Sequence, residues 1–277
     1  MKTVLSVQDL SCVGRCSLTV ALPVISAMGC RCSVLPTAVL STHTGFPDPY
    51  VLPLTEHIGA IGSHFQAVGV SFDAVLTGYM ADPGQIEAVL SLLLSCKENG
   101  SAVVVDPAMG DHGKLYRRLG DSHVAAMARL CGHADILLPN LTEAALLTGL
   151  PYRQQQDEAY LRQLTDALLQ RFPAQAVLVT GVSGSSGMIG FYGACRGSEP
   201  FSYQTPVIPR RCHGTGDLFA AVFTGAYLQG KSVYASGVLA ADFVRRCVEN
   251  TPAETPHGVD FETQLSHLFG VNCEKSY

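Results

Sequence analysis

The chain has 277 residues, 47% of them hydrophobic and 15% charged, with a formal net charge of −5. That is length for one large domain or two small ones and apolar content for a substantial core, which sets intrinsic disorder aside. The negative balance argues against a sequence-independent nucleic-acid binder, and no run approaches the ~18 uncharged apolar residues of a membrane span.

The opening MKTVLSVQDL reads as a strand (3–8) running into Gln8 and Asp9. It lacks the apolar core and cleavage site of a signal peptide, so a cytoplasmic protein is expected. A helical stretch near 15–28 leads to a strand at 32–41. Further strands are expected at 74–78, 102–106, 135–139 and 176–181. Between and around them lie helical patterns near 83–98, 119–131, 141–149 and 156–172. GMIGFYG (187–193) and PFSYQTPVI (200–208) have no helix between them and read as a hairpin and a sheet edge. Two more helices are expected near 214–229 and 232–249. Short, continuously apolar strands alternating with helices predict an α/β fold whose mostly parallel sheet is covered on both faces. No internal repeat, low-complexity tract or interdomain linker interrupts the chain, so 1–277 is read as one domain.

Ten cysteines suggest disulfides or zinc, but their spacing does not. Cys12 and Cys16 are four apart, Cys30 and Cys32 two apart, and no CxxC pair occurs. In a cytosolic chain they are expected to be free thiols, most of them acting as small hydrophobes.

The polar residues cluster after the strands. DPAMGD comes after 102–106, NLTEAALLTG after 135–139, Thr180 and Gly181 end the run VLVTG, and CHGTGD comes after the edge strands. Ligands of open α/β sheets bind beyond the carboxyl ends of the strands, so parallel strands would gather these groups on one rim. Gly214-Thr215-Gly216-Asp217 opens a helix whose first N–H groups lack helical partners and whose dipole adds positive charge. Such an end takes phosphate. Asp217 is then either a cap or a base that takes a proton from an attacking hydroxyl.

Taken together, SVQ (6–8), STHTGF (41–46), TGYMAD (77–82), DPAMGD (106–111), PNLTEAALLTG (139–149), VLVTG (177–181) and HGTGDLFAA (213–221) resemble the ribokinase-like superfamily, in the order and approximate spacing of its pyridoxal kinase branch. The resemblance spans residues 6–221. It implies a three-layer α/β/α fold with a small β lid element, and an ATP-dependent kinase acting on the hydroxymethyl group of pyridoxal, pyridoxine or pyridoxamine. Asp217 would be the catalytic base, and the N–H groups of Gly214, Thr215 and Gly216 the anion hole for the transferring phosphate. Asn140 and Glu143 would help hold Mg²⁺ largely through water, although the same pair reads as a capping box. Asp106 and Asp111 would lie near the phosphates or the metal, Asp106 and Glu143 being the expected metal carboxylates. Asp106 also reads as a turn starter before Pro107. Thr180 would touch the nucleotide phosphates. Ser6, Thr44 and Tyr79 would meet or cover the pyridine ring, with His43 in the same pocket or structural. VLPTAVLS and the loop after it would help cover the site.

Two departures stand out. Leu138 occupies a place where the family often has threonine, and DLSCVGRCS after Gln8 differs from animal pyridoxal kinases. The related hydroxymethylpyrimidine kinases of thiamine synthesis share the fold and the helix start, but their glycine-rich opening is absent here. They remain the alternative, ahead of a non-catalytic ligand-sensing protein. The resemblance also implies a homodimer and leaves room for a monovalent cation such as K⁺.

Overall fold

The computed structural model describes residues 1–117, 119–184 and 187–269. In chain order its elements are β1 (Thr3–Ser11), α1 (Leu18–Ala27), β2 (Arg31–Leu40), β3 (Val51–Pro53), α2 (Thr55–Ala67), β4 (Ala74–Thr77), α3 (Pro83–Glu98), β5 (Ala102–Val105), β6 (Gly110–Asp111), β7 (Lys114–Leu115) and α4 (Asp121–Cys131). The second half comprises β8 (Ile136–Leu137), α5 (Leu141–Thr148), α6 (Glu158–Arg171), β9 (Ala176–Ser183), β10 (Met188–Cys195), β11 (Phe201–Pro206), α7 (Thr215–Leu228), α8 (Val233–Asn250) and a short 3-10 helix, Glu262–Leu268.

Nine strands form one sheet in the order β11-β10-β9-β8-β5-β4-β1-β2-β3. The six inner strands from β9 to β2 run parallel, while β10, β11 and β3 join antiparallel at the two edges. The remaining pair, β6 and β7, is a small antiparallel hairpin beside the sheet's rim.

Alternation along each inner strand divides the core in two. Leu5, Val7, Val103, Val105, Val177 and Val179 point to one face, against α2 to α6. Val4, Val104 and Leu178 point to the other, against α1, α7 and α8. Both faces of the sheet are therefore covered, which is why the central strands β4, β5 and β8 read as near-continuous apolar runs. Leu138 belongs to the second cluster and is buried among apolar neighbours, so the residue at this departure from the family pattern packs inward.

Several elements are not expected from the sequence: β3 and α2 over 51–67, the β6–β7 hairpin and the 3-10 helix Glu262–Leu268. β3 is three residues long and contains a proline, which an edge strand tolerates. In α2 only Ile58 and Gly62 are buried, and two of its thirteen residues are glycines, so its apolar stripe is thin. The strand expected at 135–139 pairs only over Ile136–Leu137, because the chain turns at Pro139 toward α5. Every cysteine among the described residues is a free thiol. No described helix is long and apolar enough to cross a membrane.

Candidate active site

Parallel pairing of β1, β4, β5, β8 and β9 brings their carboxyl ends to one rim, and the polar residues after them meet there. The base of the rim is the start of α7. Gly214 is its N-cap, at φ 84 in the left-handed region, and no side chain caps the helix. A Cβ at Gly214 would lie 2.0 Å from the carbonyl oxygen of Arg15. Glycine is therefore required twice over, by conformation and by contact. The first-turn N–H groups stay available to an anion.

Asp217 sits in this first turn, half-buried, and burial raises its carboxyl to about 6. A hydrogen bond from the Ser17 backbone N–H opposes the rise, and the nearby Asp9 carboxylate adds to it. A carboxylate lifted toward neutrality but still mostly ionised at pH 7 suits a general base.

Two further carboxylates stand near it. Burial first, then Glu143 and Asp217, push Asp106 well above the usual carboxylate range. Glu143 is 2% exposed and is raised by burial, although backbone N–H groups hold its charged form. Its Oε1 accepts from Met109 N at 3.1 Å and its Oε2 from Asn140 N at 2.8 Å. Tyr116 reports the same gathering of charge: its phenol is raised by burial and then by Glu143, Asp106, Asp111 and Asp217.

Asn140 caps α5. Its Oδ1 accepts from Thr142 N at 2.8 Å and Glu143 N at 3.0 Å, and Glu143 answers at the Asn140 N–H, which completes a capping box. Asn140 Nδ2 donates to Gly110 O at 2.8 Å, tying α5 to the β6–β7 hairpin. Beside it, Thr180 is bridged to Asn140 and donates its N–H to Pro139 O at 2.9 Å. Asp111 is exposed and turned to its own loop, accepting from His112 N at 2.8 Å.

The expected ring-binding residues spread over β1, β4 and the loop after β2. Ser6 is fully buried on β1, and its hydroxyl has no protein partner; Gln8, two residues on, is also buried with an unpaired Oε1. Tyr79 comes just after β4, with its ring 6.4 Å from that of Tyr116. The Tyr79 carbonyl accepts from Thr37 Oγ1 at 3.3 Å, and buried Gln85 holds the adjoining turn through Ala81 N and Thr37 O. Thr44 is exposed.

His43 is buried. Gly45 N donates to its Nδ1 at 3.0 Å, so Nε2 carries the hydrogen and donates to Pro256 O at 2.8 Å. Both ring nitrogens are thus committed to backbone, and the ring packs 4.9 Å from Phe46 and 4.9 Å from His213. Burial lowers its pKa. His43 fastens the loop after β2 to the segment around Pro256.

Among the described residues no three His, Cys, Asp or Glu side chains converge as a metal cage. Asp106 and Glu143 are neighbours whose carboxyl groups are both raised by burial. Sequence reasoning misses Asp9, Ser17, Met109 and Tyr116. Only contacts between distant segments reveal them, and no local motif marks them.

Comparison with known proteins places the chain among small-molecule kinases. The profile of the phosphomethylpyrimidine kinase family matches residues 21–260. The pyridoxal kinase PdxY of Burkholderia lata is 30% identical over 252 residues, covering 85% of this chain and 84% of its own. A Bacteroides thetaiotaomicron protein crystallised with pyridoxal is 33% identical, with a TM-score of 0.91 over 96% of this chain and 95% of that one. The pyridoxal kinase of Lactobacillus plantarum is 31% identical, with a TM-score of 0.90 over the full length of both chains.

Proposed function

The chain belongs to the phosphomethylpyrimidine kinase family, alongside the pyridoxal kinases, and on that premise we propose that it transfers the γ-phosphate of ATP to the hydroxymethyl group of pyridoxal, pyridoxine or pyridoxamine. The observation that carries the reading is the uncapped start of α7, with free N–H groups and a half-buried carboxylate of raised pKa in the same turn. Phosphoryl transfer needs alignment and charge stabilisation more than covalent help from the protein. Asp217 takes the proton of the attacking hydroxymethyl oxygen. The N–H groups of Gly214, Thr215 and Gly216 receive the negative charge that spreads over the equatorial oxygens.

Asp106 and Glu143 would hold Mg²⁺, partly through water, and the ion would neutralise phosphate charge when bound. Asn140 keeps Glu143 in place by capping α5, and Thr180, bridged to Asn140, would meet the nucleotide phosphates from the same rim. Asp111 contributes charge from the loop. Ser6 offers a buried, unpartnered hydroxyl to a polar ring edge, and Tyr79 offers an aromatic face. Thr44 and His43 belong to the covering loop, and closure of that loop would exclude water from the transfer. The family resemblance adds a homodimer, a cytoplasmic location and a monovalent cation such as K⁺ to the reading.

The family match itself favours one second reading, phosphorylation of hydroxymethylpyrimidine, another flat heteroaromatic with the same reacting group. A side-by-side comparison of kcat/KM on the three vitamers, hydroxymethylpyrimidine, ribose and fructose 6-phosphate separates the cases. A vitamer is expected to rank first. The pyrimidine at the top would promote the second reading, and a sugar at the top would sink both.

A further inference from the structure

Building on the kinase reading above, we propose that Asp9 is a positioning residue for Asp217, acting through Ser17. Asp9 lies near the end of β1 and is 4% exposed. Among the described residues no Lys, Arg or His forms an ion pair with it. Its oxygens are met instead by two hydroxyls: Ser17 Oγ donates to Oδ1 at 2.5 Å and Ser11 Oγ to Oδ2 at 3.3 Å. A buried carboxylate without a cation is costly to keep. Its geometry shows what it does.

Ser17 has φ 53 and ψ −124, a conformation natural to glycine and strained for a residue with a Cβ. As N-cap of α1 its hydroxyl would ordinarily turn to that helix, yet it makes no cap hydrogen bond. The hydroxyl is given to Asp9. The Ser17 backbone N–H in turn favours the charged form of the Asp217 carboxylate. Strain at Ser17 is thereby exchanged for a fixed orientation of the base.

The rest of the segment is clamped to the same place. Arg15 N donates to His257 O at 2.7 Å, and the Arg15 guanidinium pairs with Asp260 at 2.8 Å and Glu262 at 2.6 Å. The Arg15 carbonyl presses on Gly214 at the start of α7. Cys16 lies between the two carboxylates, its thiol pushed up by burial and by both charges, so it stays neutral and adds no competing anion. Residues 14–17 thus form a rigid strap over the base, and Asp9 sets the conformation of its last residue.

The test is steady-state kinetics on Asp9→Ala, Asp9→Ala/Ser17→Gly, Ser17→Ala and Ser17→Gly. Asp9→Ala frees the Ser17 side chain, and kcat should fall about 10- to 100-fold, the scale of a displaced catalytic group. KM should move by no more than about twofold, because substrate binding does not use the strap. Glycine at 17 adopts the required φ without help, so the double variant should recover most of the lost kcat. Should Asp9→Ala not fold, the serine pair decides alone: glycine is favoured over alanine at a left-handed N-cap for stability as well, so the reading is kcat per folded protein, in which Ser17→Gly should exceed Ser17→Ala with KM unchanged in both. Full kcat in Asp9→Ala, no recovery in the double variant, or an alanine at 17 as good as the glycine overturns the proposal. A wild-type protein with no kinase activity would instead defeat the function on which it rests.

Discussion

At the scale of single residues, the two properties of Asp217 predict two measurements. Asn keeps its size and removes the base, so Asp217→Asn should lower kcat roughly 10²–10⁴-fold while leaving the nucleotide dissociation constant near the wild-type value. A variant that kept a tenth of wild-type turnover would remove Asp217 from that role. The second measurement is the pH profile. A base works deprotonated, and burial raises this one to about 6, so kcat/KM should fall as the pH drops through that value. An acidic limb near the ordinary carboxylate pKa would mean that the proton acceptor is more solvated than Asp217. This residue is legible in the sequence because a carboxylate between glycines and an apolar helical run has few uses. Ser17 is not, since nothing in GRCS announces a left-handed serine whose N–H meets Asp217.

At the scale of elements, α5 shows how one cap serves the fold and the site together. From the sequence, Asn140 and Glu143 suit a capping box and metal binding alike, and the capping box is formed. Every polar atom of the Asn140 side chain is engaged by backbone: Oδ1 by Thr142 N and Glu143 N, Nδ2 by Gly110 O. Toward the proposed metal it would act only by holding Glu143. Asn140→Ala removes the cap and the tie to the hairpin, a loss of about 1–2 kcal/mol, which for a chain of this size lowers Tm by about 2–8 °C. Thermal unfolding monitored by circular dichroism checks this, and an unchanged Tm would mean that the box carries no net stability. The elements that are plain in the sequence share a property that α2 lacks. The inner strands are apolar on both faces and α7 is buried through Leu218–Ala226, whereas α2 buries only Ile58 and Gly62 and gives periodicity little to act on. The rim is legible for a related reason: once the strands are parallel, the polar segments at their carboxyl ends must converge.

At the scale of the whole molecule, the sheet concentrates negative charge at one rim, and the fold bears a cost for it that pH can reveal. Asp106, Glu143 and Asp217 all have carboxyl groups raised by burial relative to an unfolded chain. Each binds its proton more tightly when folded. The contribution of each to stability is thus fully present below the unfolded pKa and is lost as the pH rises through the folded value. For Asp217 that window runs from the ordinary value of 3.8 to about 6. Above it the ionised carboxylate destabilises the ligand-free fold, by on the order of 1 kcal/mol once its partial exposure is taken into account. Asp217→Asn never ionises. The ligand-free variant should therefore unfold at a higher temperature than the wild type at about pH 8, by about 2–4 °C, and the gap should narrow as the pH falls through about 6 and close only below the unfolded value of 3.8, where the wild-type carboxyl is protonated in both states. Differential scanning calorimetry of the two proteins across that range reads the effect directly. A variant less stable than the wild type at about pH 8 would show that the ionised Asp217 is a net stabilising partner of Ser17 and the α7 start, with the hydrogen bond outweighing the burial.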